Sequence, residues 1–223
     1  ASVTGSTSGM GTGGSVIVNA DNVTVATDGS AGAGLVATTS GTGTGGNVEI
    51  NALNVDVEGD GSIAVTTSGD GNGGTATINA TDFDITGGAS VTGSTSGMGT
   101  GGSVIVNADN VTVATDGSAG AGLVAATSGV GNGGTVEINA IDVDVEGDGS
   151  ISGNTTGAGQ GGNVNIVGGA LTVSGLGAVS VATLGAGNGG VATINATNVS
   201  VGDNGKISGE SGQIGRSSGA TGT

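Results

Sequence analysis

Apolar and polar residues alternate along this chain in short runs, and the runs return at a fixed interval. In one copy Val48, Ile50 and Ala52 form a first run, Val55 and Val57 a second, and Ile63, Val65 and Thr67 a third. A period of two puts these side chains on one face of an extended strand and their neighbours on the other. Gly, Asn or Asp stands between the runs, which is the punctuation of turns. The glycine content, the β-branched residues and the lack of a 3.6-residue period all argue against helix. The pattern predicts three short strands per unit.

The unit is tied to one phrase, GTGGNVEINA from Gly43, which recurs with small changes from Gly11, Gly71, Gly99, Gly131, Gly159 and Gly187. The second glycine of each pair is Gly14, Gly46, Gly74, Gly102, Gly134, Gly162 and Gly190, at steps of 32, 28, 28, 32, 28 and 28. The repeat is therefore 28 residues, with an Ala-Gly-Ala-Gly insertion at 31–34 and again at 119–122. A longer period of 88 overlies it, and residues 1–37 are identical to residues 89–125. A period of this size is the mark of a stacked repeat architecture. Ala1 stands in mid-repeat, so the expectation is one β-helical domain over 1–223, cut from a longer array.

Superimposing the copies produces columns. One is Val18, Ile50, Ile78, Val106, Ile138, Ile166 and Ile194; another is Val25, Val57, Ile85, Val113, Val145, Val173 and Val201; a third is Leu35, Ile63, Val91, Leu123, Ile151, Val179 and Ile207. Ala20, Ala52, Ala80, Ala108, Ala140 and Ala196 make a column of small residues where the chain must bend. Three strands per turn, each aligned with its equivalent in the next copy, describe an all-β parallel β-helix of about seven to eight coils, roughly 35 Å long at the usual strand spacing. Crossovers between parallel strands are nearly always right-handed, so a right-handed solenoid is expected. Stability then sums over neighbouring coils.

Composition sharpens this picture. The chain has 54 Gly among 223 residues, one aromatic residue, Phe83, and no Pro, Cys or His. The core must be closed by Val, Ile, Leu and Ala, which suit stacked strands. The formal charge is −16, from 18 acids against Lys206 and Arg216. That sign repels nucleic acid and anionic lipid. Without Cys there are no disulfides and no thiolate metal sites. No stretch has the unbroken apolar length of a membrane helix. No basic-then-apolar leader stands at Ala1, so any signal peptide is expected to have been removed or to lie outside these residues.

Candidate chemistry is sparse. The Gly-x-Gly-Gly phrase is not a phosphate cradle, since a strand and not a helix follows and no Lys accompanies it. Its glycines are expected to supply positive φ at tight corners. Asn19, Asn51, Asn79, Asn107, Asn139 and Asn195 form a column that suits an amide ladder along the stack; a sugar-binding row is the alternative. Thr7, Thr39, Thr67, Thr95, Thr127, Thr155 and Thr183 form a similar column, read as structural. Carboxylates gather on the outward face of the second run: Asp56, Glu58, Asp60, Asp82 and Asp84 in two adjacent coils, and Asp142, Asp144, Glu146 and Asp148 in a later one. Oxygen-only clusters suit Ca²⁺, which would bridge coils at Asp56, Glu58, Asp60, Asp84, Asp144, Glu146 and Asp148. The competing reading is a solvated acidic face that keeps rods apart. Paired carboxylates also hydrolyse glycosides, but nearly uniform coils offer no cleft, and an enzyme is not expected. The uneven charged column Thr24, Asp56, Asp84, Thr112, Asp144 likewise does not suit an ice-binding face.

The phrase GNGGTVEINA, followed by Val143-Asp144-Val145, Gly149-Ser150-Ile151 and Thr155-Thr156-Gly157-Ala158-Gly159, resembles the repeats of filamentous-haemagglutinin-like exoproteins, the large adhesins of bacterial two-partner secretion. It is similar also to repeats of cyanobacterial surface-layer or haemagglutinin-like proteins. The resemblance covers essentially residues 1–217. It implies a right-handed parallel β-helix, an extracellular or cell-surface location, and a role in adhesion or fibre formation. The expected function is the structural shaft of a secreted bacterial adhesin or filament. Its expected partners are further copies of itself, end to end or laterally, and a cell-surface receptor. A receptor- or glycan-binding module is the alternative.

Overall fold

The structure is a computed structural model that describes residues 2–27, 34–114 and 121–211. Residues 31–33 and 119–120 of the two insertions, Arg216 and the 215–218 departure from the phrase lie outside the described residues. All regular structure among the described residues is β, and all pairing is parallel, in a solenoid of about seven turns. One turn shows how sequence becomes coil. The first run is the strand Val48–Asn51, the second Asn54–Glu58 and the third Ser62–Ala64. Each pairs in register with its equivalent one repeat away: Ile50 with Ile78, Val55 with Phe83, Ile63 with Val91. The 28-residue steps carry the pairing directly. The 32-residue steps also keep it, because Val3 still meets Leu35 and Val91 meets Leu123.

Runs one and two are separate strands in the early coils but fuse later. Thr135–Glu146, Asn163–Val173 and Val191–Val201 are single strands that pass through the corner at Ala140, Gly168 and Ala196 without a break. Three strands per coil therefore become one long and one short, and the two ladders merge into one sheet of eleven strands beside an eight-stranded third ladder.

Alternation sorts the side chains as the pattern requires. Ile50, Val55, Val57, Ile63 and Val65 are fully buried, as are their equivalents through the middle coils. Phe83 is completely buried in the second-run column, between Val55 and Val111. Coverage by the next coil is what buries these residues. In the last coil Val199 and Val201 keep half their surface exposed, and the edge of Val191–Val201 opposite Asn163–Val173 bears no strand among the described residues.

The glycine phrase needs a correction. Among the described residues the positive-φ glycines are Gly59, Gly87, Gly147 and Gly175, all in the turn after run two, and none belongs to the Gly-x-Gly-Gly phrase. In that turn the Gly61 amide bonds the Glu58 carbonyl at 2.9 Å and the Gly149 amide bonds the Glu146 carbonyl at 2.8 Å. In the last coil the same turn is made by Asp203 and Asn204, both at positive φ; Asp and Asn tolerate that conformation better than most residues. The paired glycines serve close approach instead. A Cβ built on Gly46 would strike the Gly14 carbonyl oxygen, and one on Gly74 the Gly46 carbonyl oxygen. The sequence signal for positive φ was present, but it lay in Glu-Gly-Asp-Gly and its equivalents.

Candidate functional site

Three polar columns line the solenoid. The first is the asparagine ladder. Asn51 Nδ2 donates to Asn19 Oδ1 at 2.9 Å, Asn79 to Asn51 at 2.8 Å, Asn107 to Asn79 at 2.9 Å and Asn139 to Asn107 at 3.0 Å. In-register pairing sets this up, because equivalent strands place equivalent amides one strand spacing apart. Asn195 does not continue the ladder: Val167 occupies the intervening coil, so Asn195 faces an apolar neighbour. Each rung uses one hydrogen of the donor amide. At two rungs a carboxylate takes the other: Asn51 donates to Glu49 at 3.1 Å and Asn139 to Glu137 at 3.3 Å. The sequence alone assigned these two glutamates no contact. The signal was their position two residues before Asn, on the same strand face.

The second column is threonine. Thr39, Thr67, Thr95, Thr127, Thr155 and Thr183 are buried, and each makes a single-residue parallel bridge to its neighbours. Each hydroxyl donates to the carbonyl five residues on, as Thr67 does to Asn72 at 3.3 Å and Thr155 to Gln160 at 3.2 Å. The bond closes the loop that leads into the glycine corner, so a buried hydroxyl is satisfied where it stands. Asparagines in that loop also reach between coils: Asn72 Oδ1 accepts from the Thr100 amide at 3.0 Å and Asn132 Oδ1 from the Gln160 amide at 3.2 Å.

The third column holds the acids. Asp56 and Asp84 are paired in register, one coil apart. The column does not stay acidic: Thr24 adjoins Asp56, Thr112 adjoins Asp84, and Asp144 lies between Thr112 and Thr172. Asp82 adjoins Asn54 and Asn110 and accepts from Asn110 Nδ2 at 2.7 Å. Glu58 and Glu146 are paired with Ala26 and Ala114. The Asp60 amide donates to Thr27 Oγ1 at 3.0 Å. Interleaving with Thr, Asn and Ala spreads the acids out. Among the described residues no three acidic side chains gather into a group able to hold a metal ion. Asp56, Glu58, Asp60, Asp84, Asp144, Glu146 and Asp148 thus form no calcium cage of the kind that six to eight oxygen ligands require.

One exposed ion pair completes the charge pattern. Lys206 Nζ meets Glu210 Oε1 at 2.7 Å, and that hydrogen bond, with the lysine charge, holds the Glu210 carboxyl below its usual value. On the third ladder, shallow grooves of about 390 and 350 Å³ run over polar side chains, among them Thr66, Ser94 and Asn154 in one and Ser6, Thr38 and Ser40 in the other. No helix among the described residues is long and apolar enough to cross a membrane. The chain matches no protein-family model, no curated protein and no solved structure.

Proposed function

We propose that the chain is the structural shaft of a bacterial surface adhesin or extracellular filament. The observation that carries this reading is that the asparagine side chains bond from coil to coil along the stack. Asn51 bonds Asn19, Asn72 bonds the Thr100 amide, and the backbones of the threonine column bridge coil to coil from Thr7 to Thr183. Side chains that elsewhere would build a site are spent on joining coil to coil. The resemblance of the repeat phrase to haemagglutinin-like adhesins supports the same reading and an extracellular setting. Parallel in-register pairing from coil to coil supports further copies of the chain as the partner, since strands in this arrangement template further strands. The test is antibody labelling of intact producing cells, with and without permeabilisation. Labelling of intact cells is expected. A signal that appears only after permeabilisation overturns the reading.

A further inference from the structure

The chain contains six Asn-x-Ser/Thr tripeptides, at Asn22, Asn79, Asn110, Asn154, Asn195 and Asn198. Such a tripeptide is an acceptor for N-linked sugar where it lies on an accessible surface. The structure sorts the six. Asn22, Asn110 and Asn198 are 88 residues apart and fall in one column, linked coil by coil through Asn54, Asp82, Asp142 and Ala170. All three are exposed. Each lies in a strand, so its hydroxyl partner two residues on, Thr24, Thr112 or Ser200, points to the same outward side. Those hydroxyls stand in the very column that carries Asp56, Asp84 and Asp144 in other coils.

The other three differ. Asn79 is half-buried and held in the ladder from both sides. Asn154 is half-buried, and its Oδ1 accepts from the Ala182 amide at 2.8 Å. Asn195 is exposed, but Thr197 lies beyond the corner at Ala196, as Thr81 lies beyond Ala80.

We infer that Asn22, Asn110 and Asn198 are glycan acceptors, forming a line of sugars three coils apart, about 14 Å at the usual strand spacing. In the transfer the Asn Nδ2 bonds to the anomeric carbon of a sugar carried on a nucleotide or lipid pyrophosphate. The pyrophosphate-bearing group leaves with the bonding electrons, and one amide proton passes to a base of the transferase. The product keeps one N–H, so the Asn110 bond to Asp82 survives modification. At Asn22 the ladder uses only Oδ1, which accepts from Asn54 at 2.6 Å, leaving the nitrogen available.

This inference rests on the proposed surface location, and two arms keep the two apart. In the first, the chain is isolated from producing cells and its peptides are mapped by mass spectrometry. A hexose or oligosaccharide mass is expected at Asn22, Asn110 and Asn198, and none at Asn79, Asn154 or Asn195; the adduct mass separates single-sugar transfer from transfer of a preassembled lipid-linked glycan. Surface-exposed chain with three bare column sites overturns the inference while leaving the shaft intact. In the second arm, the purified folded chain is treated with a tripeptide-specific N-glycosyltransferase and UDP-glucose, which tests acceptor geometry whatever the cellular location. The three column sites should be occupied at least tenfold more than Asn79 and Asn154, with the preference lost after denaturation. Thr112→Ala should abolish occupancy at Asn110, and Thr112→Ser should retain it. Equal occupancy of all six sites in the folded chain overturns the inference.

Discussion

Gly74 lies against Gly46 of the neighbouring coil so closely that no side chain fits between them: a Cβ on Gly74 would meet the Gly46 carbonyl oxygen. The obstacle is backbone, which cannot swing aside as a side chain can. Gly74→Ala should therefore destabilise the chain by about 1–3 kcal/mol, the usual range for forced overpacking. Gly202→Ala is the control, because nothing lies within 4 Å of a Cβ there. Denaturant unfolding of the two variants should show a large midpoint shift for the first and almost none for the second.

The ladder makes a comparable contrast. Asn79 both donates to Asn51 and accepts from Asn107, whereas Asn195 has Val167 beside it. Asn79→Ala removes two side-chain hydrogen bonds and leaves two neighbours short of a partner. A loss of about 1–3 kcal/mol is expected from a net value near 1 kcal/mol per bond. Asn195→Ala should cost less than about 0.5 kcal/mol, in the range of ordinary surface changes. Equal effects in thermal melts would show that the ladder does not hold the stack.

Phe83 is the single aromatic residue, and it is fully buried between two valines. Phe83→Ala should cost about 3–5 kcal/mol, because tightly stacked coils cannot collapse into the space. Phe83→Val restores the residue found in Val55 and Val111 and should recover most of that loss. Equilibrium unfolding of both variants measures the difference.

These contrasts also mark what the sequence could and could not disclose. Strand positions, columns and the parallel pairing followed from period two within runs and period 28 between them; the inward Val, Ile and Leu of the middle coils are buried as expected, while Ala52, Ala80, Ala108 and Ala140 at the corner are only half-buried. The role of the paired glycines did not follow. A glycine that permits close stacking and one that adopts positive φ look alike in a sequence, and only the neighbouring backbone distinguishes Gly74 from Gly59. The fusion of runs one and two was also hidden, since a corner residue such as Ala140 serves a break or a continuous bend equally well. For the acids, the columns were correct but the clustering was not. Asp56 and Asp84 meet, yet Thr24 and Thr112 flank them, and a metal site needs more than one pair.

Charge should act on this fold through screening. Asp56 and Asp84 repel across one strand spacing, and added salt weakens that repulsion over a Debye length of about 10 Å at 0.1 M. The melting temperature should rise by a few degrees between low and moderate NaCl. CaCl₂ at matched ionic strength should add no further rise, and a chelator should leave the melt unchanged. A rise specific to calcium would mean that the acids form a cation site.

The central claim is that length and repetition, not a local site, define this molecule, so removing one whole 88-residue block should shorten it without unfolding it. Deleting residues 89–176 joins Gly88 to Gly177, which takes the column position of Ala89. Small-angle X-ray scattering of the full chain and the deleted chain measures the consequence directly. The account predicts an unchanged cross-section and a rod shorter by three coils, about 14 Å at the usual strand spacing. A deleted chain that unfolds, or whose cross-section changes while its length stays the same, would contradict it.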